Sequence, residues 1–383
     1  MSRIFKYIKG DRVIWVVVII LSIFSVLAVY SSTGTLAYKK HGGNTEYYLL
    51  KHVTILIFGF ILMYLTHRVK YRYFSRISQI ALYVAIILLA FTLFKGTNLN
   101  EARRWLTLPL INLTFQSSDF AKLVLIIYIA RMLSIKQEQI KDFKSAFVPI
   151  MLPILVVCFL ILPANFSTAA ILFTTSLILM FIGRVNTKYI LSLIGISIVS
   201  LVIFITISMN FPNNRVGVWG DRLEHFYKGD SEDNYQIDQA KIAIATGGIV
   251  GKMPGRSSQR NFLPHPYSDF IYAIIIEEYG LLGGLVVILL YLILLYRGVR
   301  IVIHSPGNFG AFMAIGIIFS MVFQAMINMA VAVNLFPVTG QTLPLISMGG
   351  TSLWFSSISI GLILSVSRCI EEEKKQQKQY ATA

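Results

Sequence analysis

Cysteine is almost absent from this 383-residue chain, which contains only Cys158 and Cys369. The two lie in or beside different apolar segments, far apart in the sequence. A disulfide framework needs several cysteines at regular spacings, and a zinc site needs ligands grouped at short intervals, so neither is expected. The chain offers no cysteine-based centre, and no metal ligands are predicted.

Acidic residues are also scarce. The chain has 18 Asp and Glu against 34 Lys and Arg, which gives a formal net charge of +16. In a soluble protein, such an excess would suggest nucleic acid as a partner. However, only 14% of the residues are charged, 56% are hydrophobic, and the mean hydropathy is +0.69. Because the cytoplasmic ends of membrane helices collect Lys and Arg, we attribute the positive charge to the membrane and expect no nucleic-acid partner.

Long apolar runs are what the chain has in abundance. A membrane-spanning helix needs ~20 mostly apolar residues, and runs near that length recur along the chain. We predict an all-α, polytopic integral membrane protein with about ten transmembrane helices. The first apolar run is expected to be a retained anchor, because it is too long for a signal peptide. The predicted spans are 13–32, 50–67, 77–95, 117–134, 146–163, 168–184, 189–208, 269–297, 308–334 and 345–368.

The distribution of Lys and Arg predicts the orientation of these spans. If both termini are cytoplasmic, most of the Lys and Arg between spans fall on the cytoplasmic side, as does the tail of residues 369–383. Residues 209–267 then form a large extracytoplasmic loop between spans 7 and 8. Loops of that length are usually functional or disordered, and its spaced aromatics favour function. We treat residues 1–383 as a single transmembrane domain.

Asp269 lies where that polar loop meets the apolar residues 270–276. Ionisable groups at the edge of a membrane are rare and tend to be functional. Asp269 could instead cap the following helix, although Ser268 would fill that role equally well and leave Asp269 for chemistry. Two more acids in the same span, Glu277 and Glu278, indicate a functional bundle interior or hydrogen bonds to a neighbouring helix.

Asp119 and Lys122 lie three residues apart at the start of the fourth span and therefore share one helical face. A structural ion pair that neutralises two buried charges is favoured over a catalytic role. Ser117 or Ser118 is expected to cap this helix. In the preceding loop, Arg103 either anchors the membrane interface or binds phosphate oxygens, which suit its guanidinium fork.

The 209–267 loop carries scattered cations and glycines. Glycines let backbone N–H groups approach an anion closely, and cations add charge. The glycine spacing does not fit a nucleotide-binding loop, so an ordinary solvated loop is an equal alternative. The cations include Arg215, Arg222, Lys228, Lys241, Lys252, Arg256 and Arg260, and the glycines are Gly247, Gly248, Gly251 and Gly255.

Residues 336–352 contain two prolines and a Gly-Gly step, which predict irregular backbone near the outer face. Such backbone is tolerated at membrane depth only where it is buried in protein or lines a cavity. A simple re-entrant turn is the alternative.

Taken in order, these segments resemble the FtsW/RodA family, the SEDS proteins of bacterial wall synthesis, over nearly the whole chain. The segments that carry the resemblance are 102–105 (ARRW), 115–123 (FQSSDFAKL), 235–236 (YQ), 247–252 (GGIVGK), 262–264 (FLP), 268–271 (SDFI), 277–280 (EEYG), 337–344 (PVTGQTLP) and 347–352 (SMGGTS).

The resemblance implies a peptidoglycan glycosyltransferase that polymerises lipid II on the outer face of the cytoplasmic membrane, with undecaprenyl pyrophosphate as the leaving group. The family's essential aspartate falls on Asp269, which we expect to act as general base. Its intramembrane acid–lysine pair falls on Asp119 and Lys122, although the family usually has Glu at the first position. The predicted substrate-binding residues are Arg103, Arg215, Arg222, Lys252 and Gln236.

The chain also departs from the family pattern. The usual Gln-Pro-Asp-Leu-Gly-Thr appears as residues 163–168 (PANFST), so no acid function transfers to that site. The Glu and His that usually precede the aspartate are replaced by His265 and Tyr267. No cofactor is evident, and a divalent cation is an alternative to arginines for balancing the charge of the pyrophosphate.

Expected partners are lipid II, the nascent glycan strand, membrane lipid, a class B penicillin-binding protein with transpeptidase activity, and other membrane proteins of the divisome or elongasome. The charged tail at 371–375 favours the division-type, FtsW-like branch of the family over the elongation type. Two alternatives remain. A transporter that flips lipid II would use the same polar cavity without a base, and a non-catalytic scaffold would tolerate loss of Asp269.

Overall fold

A computed structural model describes residues 9–41, 44–99, 102–108, 113–209 and 232–381. Helices dominate them, and three short strands form one antiparallel sheet in the order β1-β2-β3. The helices are α1 (Arg12–Ser32), α2 (Gly34–His41), α3 (Thr45–Arg68), α4 (Arg72–Lys95), α5 (Ser117–Ile135), α6 (Val148–Ile161), α7 (Phe166–Ile182), α8 (Thr187–Met209), α9 (Glu232–Gly247), α10 (Ile271–Ile303), α11 (Asn308–Ala332) and α12 (Thr351–Ala381). The strands are β1 (Thr97–Leu99), β2 (Ala102–Leu108) and β3 (Leu113–Gln116).

The described residues contain seven helices that are long and apolar enough to cross a membrane: α1, α3, α4, Phe143–Ile161, α10, α11 and α12. The protein is therefore a mostly helical, multi-pass membrane protein. Helices also lie at the other three predicted positions, as α5, α7 and α8, so the count of ten spans stays a prediction. The sequence predicted helices alone, and the small sheet between α4 and α5 is a difference from that all-α expectation.

Helix ends follow local side-chain chemistry at several places. Asp11 caps α1, because its Oδ1 accepts hydrogen bonds from the backbone N–H groups of Val13 and Ile14 at 2.9 and 3.3 Å. Asn165 caps α7 in the same way by accepting from Thr168 N at 3.2 Å. In the bundle, α11 and α12 are the most buried of the seven apolar helices, whereas α3 and α4 are among the least buried. Helices α11 and α12 therefore lie at the centre of the bundle.

Two polar clusters mark opposite ends of α1. At the end we call the Asp11 end, Asp11 forms an ion pair with Arg297 of α10. At the end we call the Ser31 end, the Ser31 hydroxyl donates to Glu278 of α10, and the Arg260 guanidinium donates to Ser31 O at 3.1 Å. Both clusters thus tie α1 to the region of α10.

The Asp11 end is also where the two ends of the described chain meet. Lys9 Nζ lies 3.1 Å from Glu372 Oε1, and Gly10 N donates to the carboxylate of Glu371 at 3.1 Å. Helix α12 continues without a break into the predicted tail, as far as Ala381. The Arg368 guanidinium further ties α12 to α3 by donating to Arg68 O at 2.8 Å.

Helix α10 is broken at Gly280, where φ is +71° and ψ is −175°. Residues 247–253, which we call the 247–253 turn, bond to the backbone on both sides of this break. A Cβ on Gly280 would lie 2.1 Å from Ile249 O, and one on Gly251 would lie 2.3 Å from Glu278 O, so both positions need glycine. The four bonds are Lys252 N to Glu277 O at 3.0 Å, Met253 N to Glu278 O at 3.0 Å, Leu281 N to Gly248 O at 2.9 Å and Leu282 N to Ile249 O at 3.3 Å.

Residues 337–350, which we call the return segment, connect α11 to α12 without regular secondary structure except for turns. The irregular backbone predicted here is confirmed. Leu343, Leu345 and Ile346 are buried, and Tyr291 of α10 donates its hydroxyl hydrogen to Pro344 O. On the other side, Ser25 of α1 donates to Ile346 O at 2.6 Å. The segment therefore runs through the protein interior, where irregular backbone is tolerated because protein groups satisfy it.

Candidate active site

Asp269 lies in a turn, residues 265–270, directly before α10. The helix begins at Ile271, and its N-cap residue is Phe270 rather than Asp269 or Ser268. The interpretation of Asp269 or Ser268 as a helix cap is therefore wrong. The carboxylate is not used to end the helix, which removes the main structural reason for an acid at this position.

The carboxylate of Asp269 is half-buried, and its Oδ1 accepts a hydrogen bond from the hydroxyl of Ser268 at 2.7 Å. Tyr267 lies on the same turn, and its hydroxyl is 3.3 Å from Nδ1 of His265. Burial is the main factor that raises the pKa of Tyr267, and the nearby Tyr48 and Asp269 raise this pKa further. Tyr267 therefore stays protonated at neutral pH and is a hydrogen-bond donor beside the carboxylate.

Three successive backbone carbonyls of this turn accept hydrogen bonds from elsewhere in the protein. Met348 N donates to Tyr267 O at 2.9 Å, and the hydroxyl of Ser347 donates to Ser268 O at 2.6 Å. The side-chain amide of Asn328 on α11 donates to the carbonyl of Asp269 itself at 2.9 Å. The turn is thus fixed from the return segment and from α11.

A continuous chain of polar contacts links this turn to Asp119 and Lys122. On α5, Lys122 Nζ lies 3.6 Å from Asp119 Oδ1, and it also donates to Gln324 Oε1 on α11 at 2.6 Å. Gln324 in turn donates from Nε2 to Thr342 O of the return segment at 2.9 Å. The spacing of Asp119 and Lys122 does place both on one helical face, as the sequence predicts.

A cavity of about 30 Å³ lies beside this pair, enough for one or two water molecules. Within the described part of the chain, Asp119 Oδ2 is buried and has no hydrogen-bond partner. The polar residues that line the cavity are Asp119, Lys122, Ser320, Gln324, Ser352, Ser356 and Ser359. The helix cap predicted for α5 is wrong, because Gln116 holds the cap position without a side-chain bond, and Ser117 instead accepts from Thr92 at 2.9 Å.

The predicted substrate-binding residues are spread over several elements. Arg103 belongs to strand β2, and Gln236 is a half-buried residue of α9. Lys252 lies on the 247–253 turn, where its ammonium forms an ion pair with Glu277 at 2.8 Å. Arg215 and Arg222 lie outside the described residues. Contact of these five residues with substrate therefore stays a prediction.

Glu277 and Glu278 hold the segment that leads to the candidate site. Glu277 is fully buried and accepts hydrogen bonds from Ser257, Ser258 and Gln259, in addition to the Lys252 ion pair. Glu278 accepts from Ser31 and from Ser257 N. The expectation of hydrogen bonds to a neighbouring helix is confirmed for Glu278, since Ser31 is on α1. The two acids fix the backbone rather than line an open cavity.

Asn328 is a site residue that the sequence interpretation did not single out, and Ser347 was named there only as part of the segments 336–352 and 347–352. Both act on backbone carbonyls of the Asp269 turn from far along the chain, and no local motif announces such a contact. One signal was present, because a buried amide on an otherwise apolar membrane helix needs a polar partner. Chemically, the arrangement presents the carboxylate of Asp269 on a turn that the return segment and α11 hold in place. In the described ranges, no group of three or more His, Cys, Asp or Glu could hold a metal ion.

Comparisons of the sequence reveal relatives over almost its full length. Residues 11–372 match the FTSW_RODA_SPOVE family, which is described as "Cell cycle protein". Stage V sporulation protein E of Bacillus subtilis (strain 168) is 32% identical over 371 residues, covering 95% of this chain and 98% of that protein. "Probable peptidoglycan glycosyltransferase FtsW" of Geobacter metallireducens is 32% identical over 364 residues, covering 94% and 95% of the two chains.

Solved structures share the fold. The crystal structure of the rod shape determining protein RodA from Thermus thermophilus matches with a TM-score of 0.67 at 22% identity, covering 94% of this chain and 97% of that chain. A chain of a peptidoglycan synthase complex, described as coordinating polymerization and crosslinking, matches with a TM-score of 0.71 at 23% identity. That match covers 94% of this chain and 98% of the other. At these identities the likeness concerns the fold.

Proposed function

Because the chain belongs to the FtsW/RodA/SpoVE family of cell cycle proteins, we propose that it is a peptidoglycan glycosyltransferase that polymerises lipid II. Lipid II is a disaccharide-pentapeptide carried on a polyprenyl pyrophosphate. Its tail partitions into lipid, its pyrophosphate lies at the membrane interface, and its sugars lie in water. A site for it must therefore lie at one face of the helical bundle.

The observation that carries the proposal is the position of Asp269. This half-buried carboxylate precedes a membrane helix, caps no helix, and lies on a turn that three external hydrogen bonds hold in place. Ionisable groups that persist at the membrane edge are candidates for function. The name of the Geobacter relative, a probable peptidoglycan glycosyltransferase, supplies the reaction class.

In the proposed reaction, a hydroxyl oxygen of the acceptor sugar attacks the anomeric carbon of the donor. The new glycosidic C–O bond forms as the bond between the anomeric carbon and the pyrophosphate oxygen breaks. The pyrophosphate departs with the bonding electron pair, and Asp269 takes the proton of the attacking hydroxyl as general base. Positioned proton transfer of this kind contributes ~10²–10⁴-fold to a rate. The departing pyrophosphate needs no general acid, so one carboxylate is sufficient.

Negative charge develops on the leaving group and has to be stabilised by cations or hydrogen-bond donors. We assign this task to Arg103, Arg215, Arg222 and Lys252, with Gln236 as an additional polar contact. A divalent cation would supply the same charge. Lys252 lies on the 247–253 turn, where its ammonium donates to Ser258 at 3.1 Å, and residues 254–264 lead along the chain from this turn to the Asp269 turn.

We further propose that ten helices cross the cytoplasmic membrane and that the Ser31 end faces outwards. In α1, 20 residues separate Asp11 from Ser31, which corresponds to about 30 Å at the helical rise of ~1.5 Å per residue. This distance equals the hydrocarbon thickness of a bilayer, about 30 Å, so the two polar clusters suit its two faces. The excess of Lys and Arg at the Asp11 end supports a cytoplasmic location for both termini and an external location for residues 209–267.

The partner proposed for this chain is a class B penicillin-binding protein, which would crosslink the strands that the chain polymerises. The structural match to a chain of a peptidoglycan synthase complex, described as coordinating polymerization and crosslinking, supports such an assembly. The FtsW and SpoVE relatives support a division-type role.

The test is polymer formation from purified lipid II in detergent micelles, where no membrane remains to be crossed. We expect glycan strands from the unmodified protein and a loss of at least ~10²-fold in rate with Asp269→Asn, which keeps the shape but removes the base. Asp269→Ala should show a similar loss of rate. Glu138→Gln, at an exposed position in a 3₁₀ turn after α5, is the matched control and should polymerise normally.

Absence of polymer from the unmodified protein, together with lipid II movement across vesicles, would favour the transporter alternative. Near-normal polymer from folded Asp269→Asn would remove Asp269 from the chemistry. Melting profiles equal to that of the unmodified protein establish that the variants are folded.

A further inference from the structure

We propose that Asn328 is a positioning residue for Asp269, which orients the catalytic carboxylate by holding the backbone from which it projects. The proposal rests on the proposed function of Asp269 as general base. Asn328 lies on α11, and its side-chain Nδ2 donates to Asp269 O at 2.9 Å and to Gln341 O at 2.6 Å. One amide group therefore joins the candidate base to the return segment.

The chemistry of the two partners fixes the orientation of this amide. Both are backbone carbonyls, which only accept hydrogen bonds, so the NH₂ group of Asn328 and not its oxygen must face them. An NH₂ group has two hydrogens, and each carbonyl takes one. The side chain is 1% exposed, so water does not compete for either bond. Within the described residues its Oδ1 is buried without a hydrogen-bond partner, so the group acts here as a donor.

Asp269 depends on such a contact because it lies outside the regular helix. The first backbone bonds at the start of α10 reach Phe270 O, which accepts from Ala273 N at 3.0 Å. The helix therefore orders the chain from Phe270 onwards. The Asn328 bond continues this order by one residue, to the carbonyl of the residue that carries the base.

A second amide on the same helix supports this role of α11. Gln324, one helical turn before Asn328, donates to Thr342 O at 2.9 Å. Two amides four residues apart on one face thus bond to successive carbonyls, at Gln341 and Thr342. Only the Asn328 amide, of these two, also reaches Asp269. We therefore assign it the task of setting the distance between the carboxylate and the return segment.

The two substitutions that test the proposal are Asn328→Asp and Asn328→Leu, which have nearly the same size but different chemistry. In Asn328→Asp, an ionised carboxylate would place oxygen against two carbonyl oxygens and would repel both. A protonated carboxyl has one O–H and restores one of the two bonds. Leu cannot donate in any state. The Asn328→Asp protein should therefore regain turnover as pH falls, and Asn328→Leu should not.

Lipid II polymerisation by the full-length protein in detergent is measured between pH 8 and pH 5.5. At pH 8, we expect both variants to lose about 10²-fold in kcat, because a displacement of ~1 Å at a reacting group costs that much, with KM changed less than about threefold. As pH falls, the ratio of Asn328→Asp to Asn328→Leu turnover should rise at least about fivefold. The titratable groups on the elements around Asn328 include His265, Tyr267 and Asp269 of the turn, Asp119 and Lys122 of α5, and Tyr272, Glu277, Glu278 and Tyr279 of α10. Both variants contain them, so they cancel in the ratio.

Asn308→Asp is the matched control, since it makes the same chemical change at the exposed first residue of α11. It should keep normal turnover at every pH. A constant ratio between the two Asn328 variants, or a kcat within threefold of the unmodified protein for folded Asn328→Leu, would overturn the positioning role. An inactive unmodified protein would instead overturn the proposed function itself, so the two failures are distinguishable.

Discussion

Lys122 uses a single ammonium group to neutralise one side chain and to orient another. It faces Asp119 at 3.6 Å and donates to Gln324 at 2.6 Å, while Gln324 holds the return segment. The side chains of Asp119 and Lys122 are 10% and 17% exposed, so water screens the pair little. Lys122 therefore compensates the buried charge of Asp119 and, through Gln324, helps to hold the backbone of the return segment near the candidate site.

Replacing Lys122 with Ala should lower thermal stability, because it leaves the carboxylate of Asp119 buried without a cation. Breaking a buried ion pair on one side costs about 3 kcal/mol or more. The melting temperature in detergent, followed by intrinsic fluorescence, measures the effect. The double variant Asp119→Asn/Lys122→Ala removes both charges and should melt higher than Lys122→Ala alone. Equal melting temperatures for the single variant and the unmodified protein would show that the pair contributes nothing.

Single residues differed widely in how far the sequence could predict them. The position of Asp269 between a polar loop and an apolar run was predictable, because hydropathy changes there within one residue. The contact with Asn328 was not predictable, since the two residues are 59 positions apart and the acceptor is a backbone carbonyl. Lys252 was interpreted as a cation for an anion site, and its ion pair with Glu277 adds a structural use that spacing alone does not reveal.

Among the elements, α10 departs most from its sequence pattern. The sequence predicts one span over 269–297, in which Glu277 and Glu278 are the only acids after Asp269 and apolar residues resume directly after Gly280. The break arises because the 247–253 turn bonds to the helix backbone at that point, a tertiary effect outside any local window. The sheet between α4 and α5 was missed for a similar reason, since each strand is short and its pairing lies outside hydropathy. By contrast, the approximate positions of the ten apolar helices followed from apolar run length, although α12 begins at Thr351 rather than at 345, and the polar helix α9 was not predicted.

The break itself can be tested with Gly280→Ala, which introduces a Cβ 2.1 Å from Ile249 O and requires the left-handed φ of +71° from an alanine. We expect a loss of about 3 kcal/mol in stability, since backbone strain and a backbone clash act together. Gly195→Ala in α8 is the matched control, because nothing lies within 4 Å of its new Cβ. Thermal melting of both variants in the same detergent gives the comparison. A Gly280→Ala protein that melts like Gly195→Ala would show that the break is not required.

At the scale of the whole molecule, the two polar clusters of α1 set a distance that matches a bilayer. The Asp11 end gathers the first described residues, the connection between α3 and α4, and the end of α12. The Ser31 end gathers Arg260 of the loop before α10 and Glu278 of α10. The series of apolar helices was predictable from composition. The two polar clusters were not, because each forms only when helices distant in the sequence pack against α1.

Cysteine labelling can test the orientation of the molecule. In a Cys158→Ser/Cys369→Ser background, a membrane-impermeant maleimide should label Arg256→Cys in intact cells, because Arg256 is exposed at the Ser31 end. Tyr380 is 85% exposed. A cysteine in its place, Tyr380→Cys, should react only after the membrane is permeabilised. Labelling of Tyr380→Cys in intact cells would reverse the proposed topology.

The bonds between the 247–253 turn and α10 also constrain how the molecule is assembled. The turn precedes α10 in the chain, so in the proposed topology it is translocated before the helix enters the membrane. Until the turn docks, the backbone groups of α10 that it will satisfy remain without these partners near hydrocarbon, where each unsatisfied group costs several kcal/mol. Insertion of α10 and docking of the turn therefore form a single biogenesis step. A chimaera that takes the 247–253 turn from a relative should therefore fold only if it also takes the first half of α10 from the same relative.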